Sequence, residues 1–317
     1  MQTRVVAAEP GSAWRHSAAA SVSRWISLIG GLTSFGYVAV IAARNWRSGQ
    51  IRWSDISLPI VALPCLAGLI SMLVLAGTWC WLLRRLGMRV TRREALYAWF
   101  SSNLYKYVPG QIWMPIGRTA LAARFGVPAR TAVVTTAVEQ GFSLLAAALL
   151  MAGALGDLKW VLLAALVSLM FVRPRTVNRA VNLLDRLLRR PPATSPLTGP
   201  QLLVLYAASW ANLCISLAGF CAVFWALGAF QPDHLRTYAL ALTGSFLGGY
   251  LAVGAPAGLG VREGLMLAIL AHGGVAGSVA SSVAVIALLA IILGDVLCFA
   301  IAAAAFRWRR RAPEGRP

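Results

Sequence analysis

The amino-acid sequence predicts an all-α polytopic membrane protein with about six transmembrane helices and two re-entrant helical hairpins. Three observations carry that expectation. Hydrophobic residues make up 59% and charged residues 12% of the 317 positions, and the mean hydropathy is +0.70, far outside the soluble globular range. Apolar stretches recur at about the 20 residues needed to cross a hydrocarbon core. Two of them are broken near the middle by Pro and Gly, where lipid tolerates irregular backbone only against protein or water.

In chain order, residues 1–23 carry Arg4 and Arg15 but no compact apolar stretch with a small-residue cleavage site, so a cytosolic tail and no cleaved signal peptide are expected. The membrane domain follows over 24–306, with spans near 25–43, 58–83, 131–154, 160–172, 202–227 and 275–306, the fourth being short. The two broken segments are 94–124, interrupted at Pro109-Gly110, and 237–272, interrupted at "GAPAGLG" over 254–260. Their halves of about 14 to 18 residues extend about 21 to 27 Å, marginal for a core about 30 Å thick. Each is either a re-entrant hairpin or a pair of short spans; the short halves favour hairpins. A basic tail closes the chain over 307–317.

The formal net charge is +19. Its basic clusters (Arg84, Arg85, Arg89, Arg92, Arg93; Arg173, Arg175, Arg179, Arg186, Arg189, Arg190; Arg307, Arg309, Arg310, Arg311) abut apolar spans. That placement reads as membrane topology and anionic headgroups, not nucleic acid. Six spans and two hairpins put all three clusters, and both termini, on the cytoplasmic side of the plasma (inner) membrane. Ten spans have the same parity, so charge alone does not choose. Arg44, Arg47 and Arg52 fall on the outer side and run against the rule.

Over 173–190, "RPRTVNRAVNLLDRLLRR" sets Val177, Val181, Leu184 and Leu188 at helical spacing among arginines. It predicts an amphipathic helix on the anionic inner leaflet. The hairpins' opposite entry sides suggest an inverted repeat, about 24–156 and 157–306. Pro109 and Pro256, Gly117 and Gly264, and Gly126 and Gly273 are each 147 residues apart (256−109, 264−117, 273−126). Inverted repeats with discontinuous helices meeting near the midplane are a secondary-transporter architecture.

A helix that starts inside the bilayer aims unpaired N–H groups and partial positive charge at whatever lies before its first turn. The first restart lies near Gly110-Gln111 with Arg118 two turns on. The second lies near Gly258 with Arg262 within a turn and Glu263 beside it. A phosphate or carboxylate held between them meets N-termini and guanidinium forks together; the bland alternative is that Arg118 snorkels to headgroups while Pro109 and Pro256 cap half-helices. Ionisable groups deep in spans are costly. Glu139 is expected to face the cavity between the hairpins, pairing with Arg118 or Arg262 or taking a proton. Asp295 has no obvious partner in sequence, and Glu263 either neutralises Arg262 or contributes to the site.

Cys65, Cys80, Cys214, Cys221 and Cys298 lie in apolar runs without a C-x-x-C pair, implying neither disulfides nor zinc. No catalytic constellation, metal set or P-loop is present. Neither an enzyme nor a cofactor is expected.

"YVPGQIWMPIGRTALAARFGVPARTAVVTTAVEQ" and "GAPAGLGVREGLMLAILAHGG" resemble the membrane domain of the lysylphosphatidylglycerol synthase/flippase family. The likeness covers about 58–306 and rests on Pro109, Gly110, Arg118, Gly126, Val127 and Glu139, then Pro256, Gly258, Gly260, Val261 and Glu263. It implies a flippase or transporter that moves an anionic-headgroup phospholipid or glycolipid, aminoacyl-phosphatidylglycerol among them, without ATP. The cytosolic aminoacyl-transfer domain of full-length synthases has no counterpart here, so synthesis of the lipid is not expected. The Arg often found in the family's last span is replaced by apolar Leu288 or its neighbours. The competing readings are a non-transporting membrane partner of a cell-envelope glycosyltransferase and an intramembrane transferase. Membrane lipids are the expected partners, and a homo-oligomer is compatible with the sequence.

Overall fold

The computed structural model describes residues 58–108, 112–156, 159–169, 172–187, 197–252 and 255–311. The tail 1–23, the expected span 25–43 with Arg44, Arg47 and Arg52, and the tip residues Pro109, Gly110 and Gln111 lie outside them. Every regular element among the described residues is helical.

Helix α1 (Leu58–Arg85) is apolar until Arg84 and Arg85 in its last turn. It closes at Gly87, whose φ of 79° no Cβ-bearing residue adopts cheaply. Helix α2 (Arg92–Asn103) starts in a capping box in which Thr91 and Glu94 satisfy each other's backbone N–H groups. It runs into a 3₁₀ turn, Leu104–Tyr107. Helix α3 (Trp113–Ala123) leads through a turn at Gly126 into α4 (Ala129–Leu155), which Pro128 precedes. Next come α5 (Lys159–Leu169), α6 (Pro174–Leu187) and α7 (Gly199–Ala226). The second broken segment is α8 (Leu235–Leu251), a 3₁₀ turn Pro256–Gly258 and α9 (Val261–His272). Helix α10 (Gly277–Arg311) ends the described chain.

Among the described residues four helices, α1, α4, α7 and α10, are long and apolar enough to cross a membrane. The chain is a multi-pass membrane protein. Of the expected short span at 160–172, helix α5 covers the described part up to Leu169, 11 residues or about 17 Å, and residues 170 and 171 lie outside the described residues. Its start packs against the end of α4, where Val161 fills the space beside Gly153. Val172, after the helix has ended, is buried with Val138 of α4 and Leu202 of α7. Pro174, which cannot continue a helix from Leu169, begins α6 instead.

Within the expected amphipathic stretch 173–190, residues Pro174–Leu187 are helical, and 188–190 lie outside the described residues. Val177 and Val181 pack toward Leu82, Leu197 and Leu202, Asn178 brackets both backbone groups of Leu197 at 3.0 Å, and Arg175, Arg179 and Arg186 are exposed.

The helix contacts fall into matched pairs. Helix α1 packs along α7; α4 lies against α8 and α7, as α10 lies against α2 and α1; α3 rests on α4, as α9 rests on α10. Small residues allow the closest approaches. A Cβ on Gly219 of α7 would stand 2.5 Å from the Ala67 methyl of α1. Gly244 and Gly248, spaced as in small-xxx-small packing, admit Ile269 and Leu265 of α9. The open ends of the two broken segments lie at opposite ends of α4. Tyr97 of α2 stacks on Phe306 near the end of α10, and Phe125 beyond α3 meets the same ring edge to face, with centroids 4.5 and 5.6 Å away. Arg236 of α8 instead caps the far end of α4, donating to Ala154 O at 3.3 Å and to Gly156 O. Between these ends the two 3₁₀ turns touch.

Candidate functional site

Where the turns meet, a cavity of about 320 Å³ opens. Both broken segments and the four long helices line it, mostly with apolar side chains such as Met72, Phe220 and Leu288. Its polar lining includes Asn103, Lys106 and Tyr107 from the first tip, and Gln140, Ser143, Asn212 and Ser216 from α4 and α7. Tyr250, Arg262 and Glu263 come from the second segment.

The second tip is built by glycine. Ala257 and Gly258 adopt φ of 51° and 71°, and a Cβ on Gly258 would lie 2.5 Å from Gly249 Cα. Ala257 is therefore a non-Gly residue held in the left-handed region, a conformation retained only when its surroundings impose it. It and Leu259 line the cavity. Pro256 opens the turn without lining the cavity. Gly260, at φ 84°, passes its N–H to Glu263 Oε2 at 2.5 Å. Glu263 thereby caps the N-terminus of α9, and Arg262 is left on the cavity wall.

Arg118 and Glu139 do pair, but elsewhere than expected. Arg118 Nη1 donates to both carboxylate oxygens of Glu139 at 3.2 Å. Trp99 Nε1 donates to the same oxygens at 3.3 Å, and Arg118 Nε donates to Ser102 Oγ at 3.1 Å. The guanidinium lies 4.8 Å from the ring centroid of Trp99 and 5.6 Å from that of Trp79, cation–π distances that suit a desolvated arginine. Both charged side chains are buried, Arg118 at 0% and Glu139 at 2% exposure, and neither lines the cavity. The expectation that Glu139 faces the space between the hairpins is corrected: its neighbour Gln140 does so, one helical step round α4. Nor does Arg118 snorkel. The physical reason is that the two charges balance each other between indole rings, with Trp99 and Ser102 as further hydrogen-bond partners, where neither water nor headgroup reaches.

Asp295, without a partner in sequence, has three in space. Lys106 Nζ lies 2.6 Å from Oδ2, Tyr107 O–H donates to Oδ2 at 2.6 Å, and Asn103 Nδ2 donates to Oδ1 at 2.6 Å. The carboxylate is fully buried and Lys106 is 24% exposed, so this cluster ties the first tip to the middle of α10 at the edge of the cavity. Sequence reasoning missed it because 188 or more residues separate the partners. Lys106 immediately before Pro109-Gly110 was the available signal.

The cavity can receive an amphiphile, with an anionic group at Arg262, uncharged hydrogen-bonding groups along α4 and α7, and an apolar remainder. Among the described residues no group of His, Cys, Asp and Glu is placed to hold a metal ion. The sequence model of the family described as "Lysylphosphatidylglycerol synthase TM region" matches residues 26–294. No curated protein and no solved structure matches.

Proposed function

The chain belongs to the lysylphosphatidylglycerol synthase transmembrane-region family, and on that premise we propose that it moves an anionic-headgroup phospholipid or glycolipid between leaflets, without ATP and without modifying it. The observation that carries this reading is the cavity at the meeting of two broken helices, with Arg262 on its wall. A lipid crossing a bilayer needs shelter for its headgroup at the midplane and an apolar path for its chains. Four long apolar helices around a cavity with few polar groups suit both needs.

The paired contacts support an inverted repeat, in which α1, the α2/α3 hairpin and α4 correspond to α7, the α8/α9 hairpin and α10. Arms of 12, 11, 17 and 12 residues are about 18, 17, 26 and 18 Å long. That suits hairpins entering from opposite faces and meeting at their tips. The ends of α1 and α10 and the body of α6 share one end of the bundle through the Leu82–Val181 and Tyr97–Phe306 neighbourhoods. Gathering Arg84, Arg85, Arg175, Arg179, Arg186 and Arg307 there supports a cytoplasmic assignment for that end and for the C-terminus.

Leaflet-resolved lipid assays on the purified chain in vesicles test the function. Accelerated movement of an anionic phospholipid or polyprenyl lipid without nucleotide is the expected result. No acceleration of any such lipid would end the proposal.

A further inference from the structure

The turn between α1 and α2, well away from the cavity, carries an open recess lined by Arg84, Arg89, Val90, Thr91 and Arg92. Its three arginines are exposed, and among the described residues none of them takes part in an ion pair. Glu94, the carboxylate nearest in sequence, does not line the recess. It folds back to cap α2, its Oε2 accepting from Thr91 N–H at 2.9 Å and from the Thr91 hydroxyl at 2.7 Å. Three guanidinium groups thus share one space with a surplus of positive charge, and an anion among them relieves their repulsion.

The fold itself does not call for these arginines. The turn after α7 repeats the same backbone: Gly228 N–H donates to Trp225 O at 3.0 Å and Ala229 N–H to Phe224 O at 2.9 Å, as Gly87 donates to Arg84 O at 3.1 Å and Met88 to Leu83 O at 3.0 Å. Gly228 and Gly87 share a positive φ, 65° and 79°. In that copy Trp225 stands where α1 has Arg84, and Phe230 where it has Arg89. The height of the recess is fixed by its neighbours. The Arg85 guanidinium lies 5.7 Å from the ring centroid of Trp81, an aromatic and a snorkelling cation of the kind found where a helix leaves the hydrocarbon. Leu82 and Leu86 pack with Val177 and Val181 of the amphipathic α6. The recess therefore opens at the level of lipid phosphates. We propose that it is a second binding site, apart from the cavity, that holds the phosphate of an anionic lipid in the leaflet at this end of the bundle. Arg84 reaches it from the last turn of α1 and Arg89 and Arg92 from beyond Gly87, so the phosphate oxygens meet guanidinium forks from both sides of the turn.

Native mass spectrometry of the detergent-purified full chain with phosphatidylglycerol counts the lipids retained. The wild type should keep one more than a variant with Arg84, Arg89 and Arg92 all changed to Gln, whose affinity for that lipid should fall about tenfold or more. Arg89→Gln alone, outside both helices, should already lower the retained fraction. Changing Arg175, Arg179 and Arg186 to Gln removes the same charge from α6 and should leave this lipid in place. So should Arg262→Gln, which alters the cavity, and the two sites are thereby read separately. Equal losses in the two triple variants would reduce the recess to a share of general surface charge. Unchanged retention in the recess variants would remove the site, and loss of the lipid to inorganic phosphate at constant ionic strength would make the ligand a soluble phosphate. Each of these results overturns the proposal.

Discussion

Glu139→Gln is expected to unfold the bundle rather than spare it, although the change conserves shape. Both carboxylate oxygens accept from Arg118 at 3.2 Å and from Trp99 at 3.3 Å. A glutamine offers one oxygen and turns an NH₂ toward the other donors. At an effective dielectric of about 20, unit charges 3.2 Å apart attract by about 5 kcal/mol. Removing one partner of such a buried pair costs about 3 to 5 kcal/mol, because the other charge is stranded. Arg118 is 0% exposed and its Nη2 already has no hydrogen-bond partner, so the stranded guanidinium keeps only Ser102 Oγ and the two indole faces. Arg118→Met together with Glu139→Gln removes both charges and should recover most of the loss, since apolar replacement of a whole buried pair is often neutral. Equilibrium unfolding in detergent on the wild type, both single variants and the double variant forms the cycle. A Glu139→Gln protein within about 0.5 kcal/mol of wild type, or a double variant whose loss is the sum of the singles, would refute the reasoning.

Asp295→Asn removes the ion pair and leaves Lys106 near the cavity mouth, so about 1 to 3 kcal/mol of local anchoring is lost. Hydrogen exchange over 104–108 should quicken about tenfold, and unchanged protection contradicts the anchoring role. Gly258→Ala combines a φ of 71° with a Cβ 2.5 Å from Gly249 Cα. It should cost about 2 kcal/mol or more, whereas wild-type stability would mean that the tip is looser than described. Changing Arg175, Arg179 and Arg186 to Gln weakens attraction to an anionic leaflet by about 1 kcal/mol per residue. A fluorophore at position 183, which is exposed, should sit deeper in anionic than in zwitterionic vesicles only in the wild type; the same difference in the triple variant rejects a surface-seated α6.

What the sequence made legible was whatever local physics dictates. Unbroken apolar runs gave α1, α4, α7 and α10 to within a few residues, Pro and Gly marked both breaks, and helical spacing of Val177 and Val181 beside arginines gave α6. The pairing of Arg118 with Glu139 was among the expected partnerships because charges in apolar segments need each other. Its closure between Trp79 and Trp99 was not legible, since which face of α4 turns to the cavity depends on how α2, α3 and α4 pack together. The Asp295 cluster was hidden for the same reason, its members meeting only after α10 returns to α2. Gly244 and Gly248 carried a spacing that could have announced the tight α8/α9 contact.

Nucleotide-free translocation of phosphatidylglycerol, carried as an acyl-chain fluorophore and read by an impermeant quencher in vesicles containing the full chain, bears most directly on the central claim. Wild-type protein should expose inner-leaflet probe well above protein-free vesicles, and Arg262→Gln, folded by the same unfolding assay, should slow this by about tenfold. Equal rates for wild type and Arg262→Gln, or for vesicles with and without protein, would contradict it.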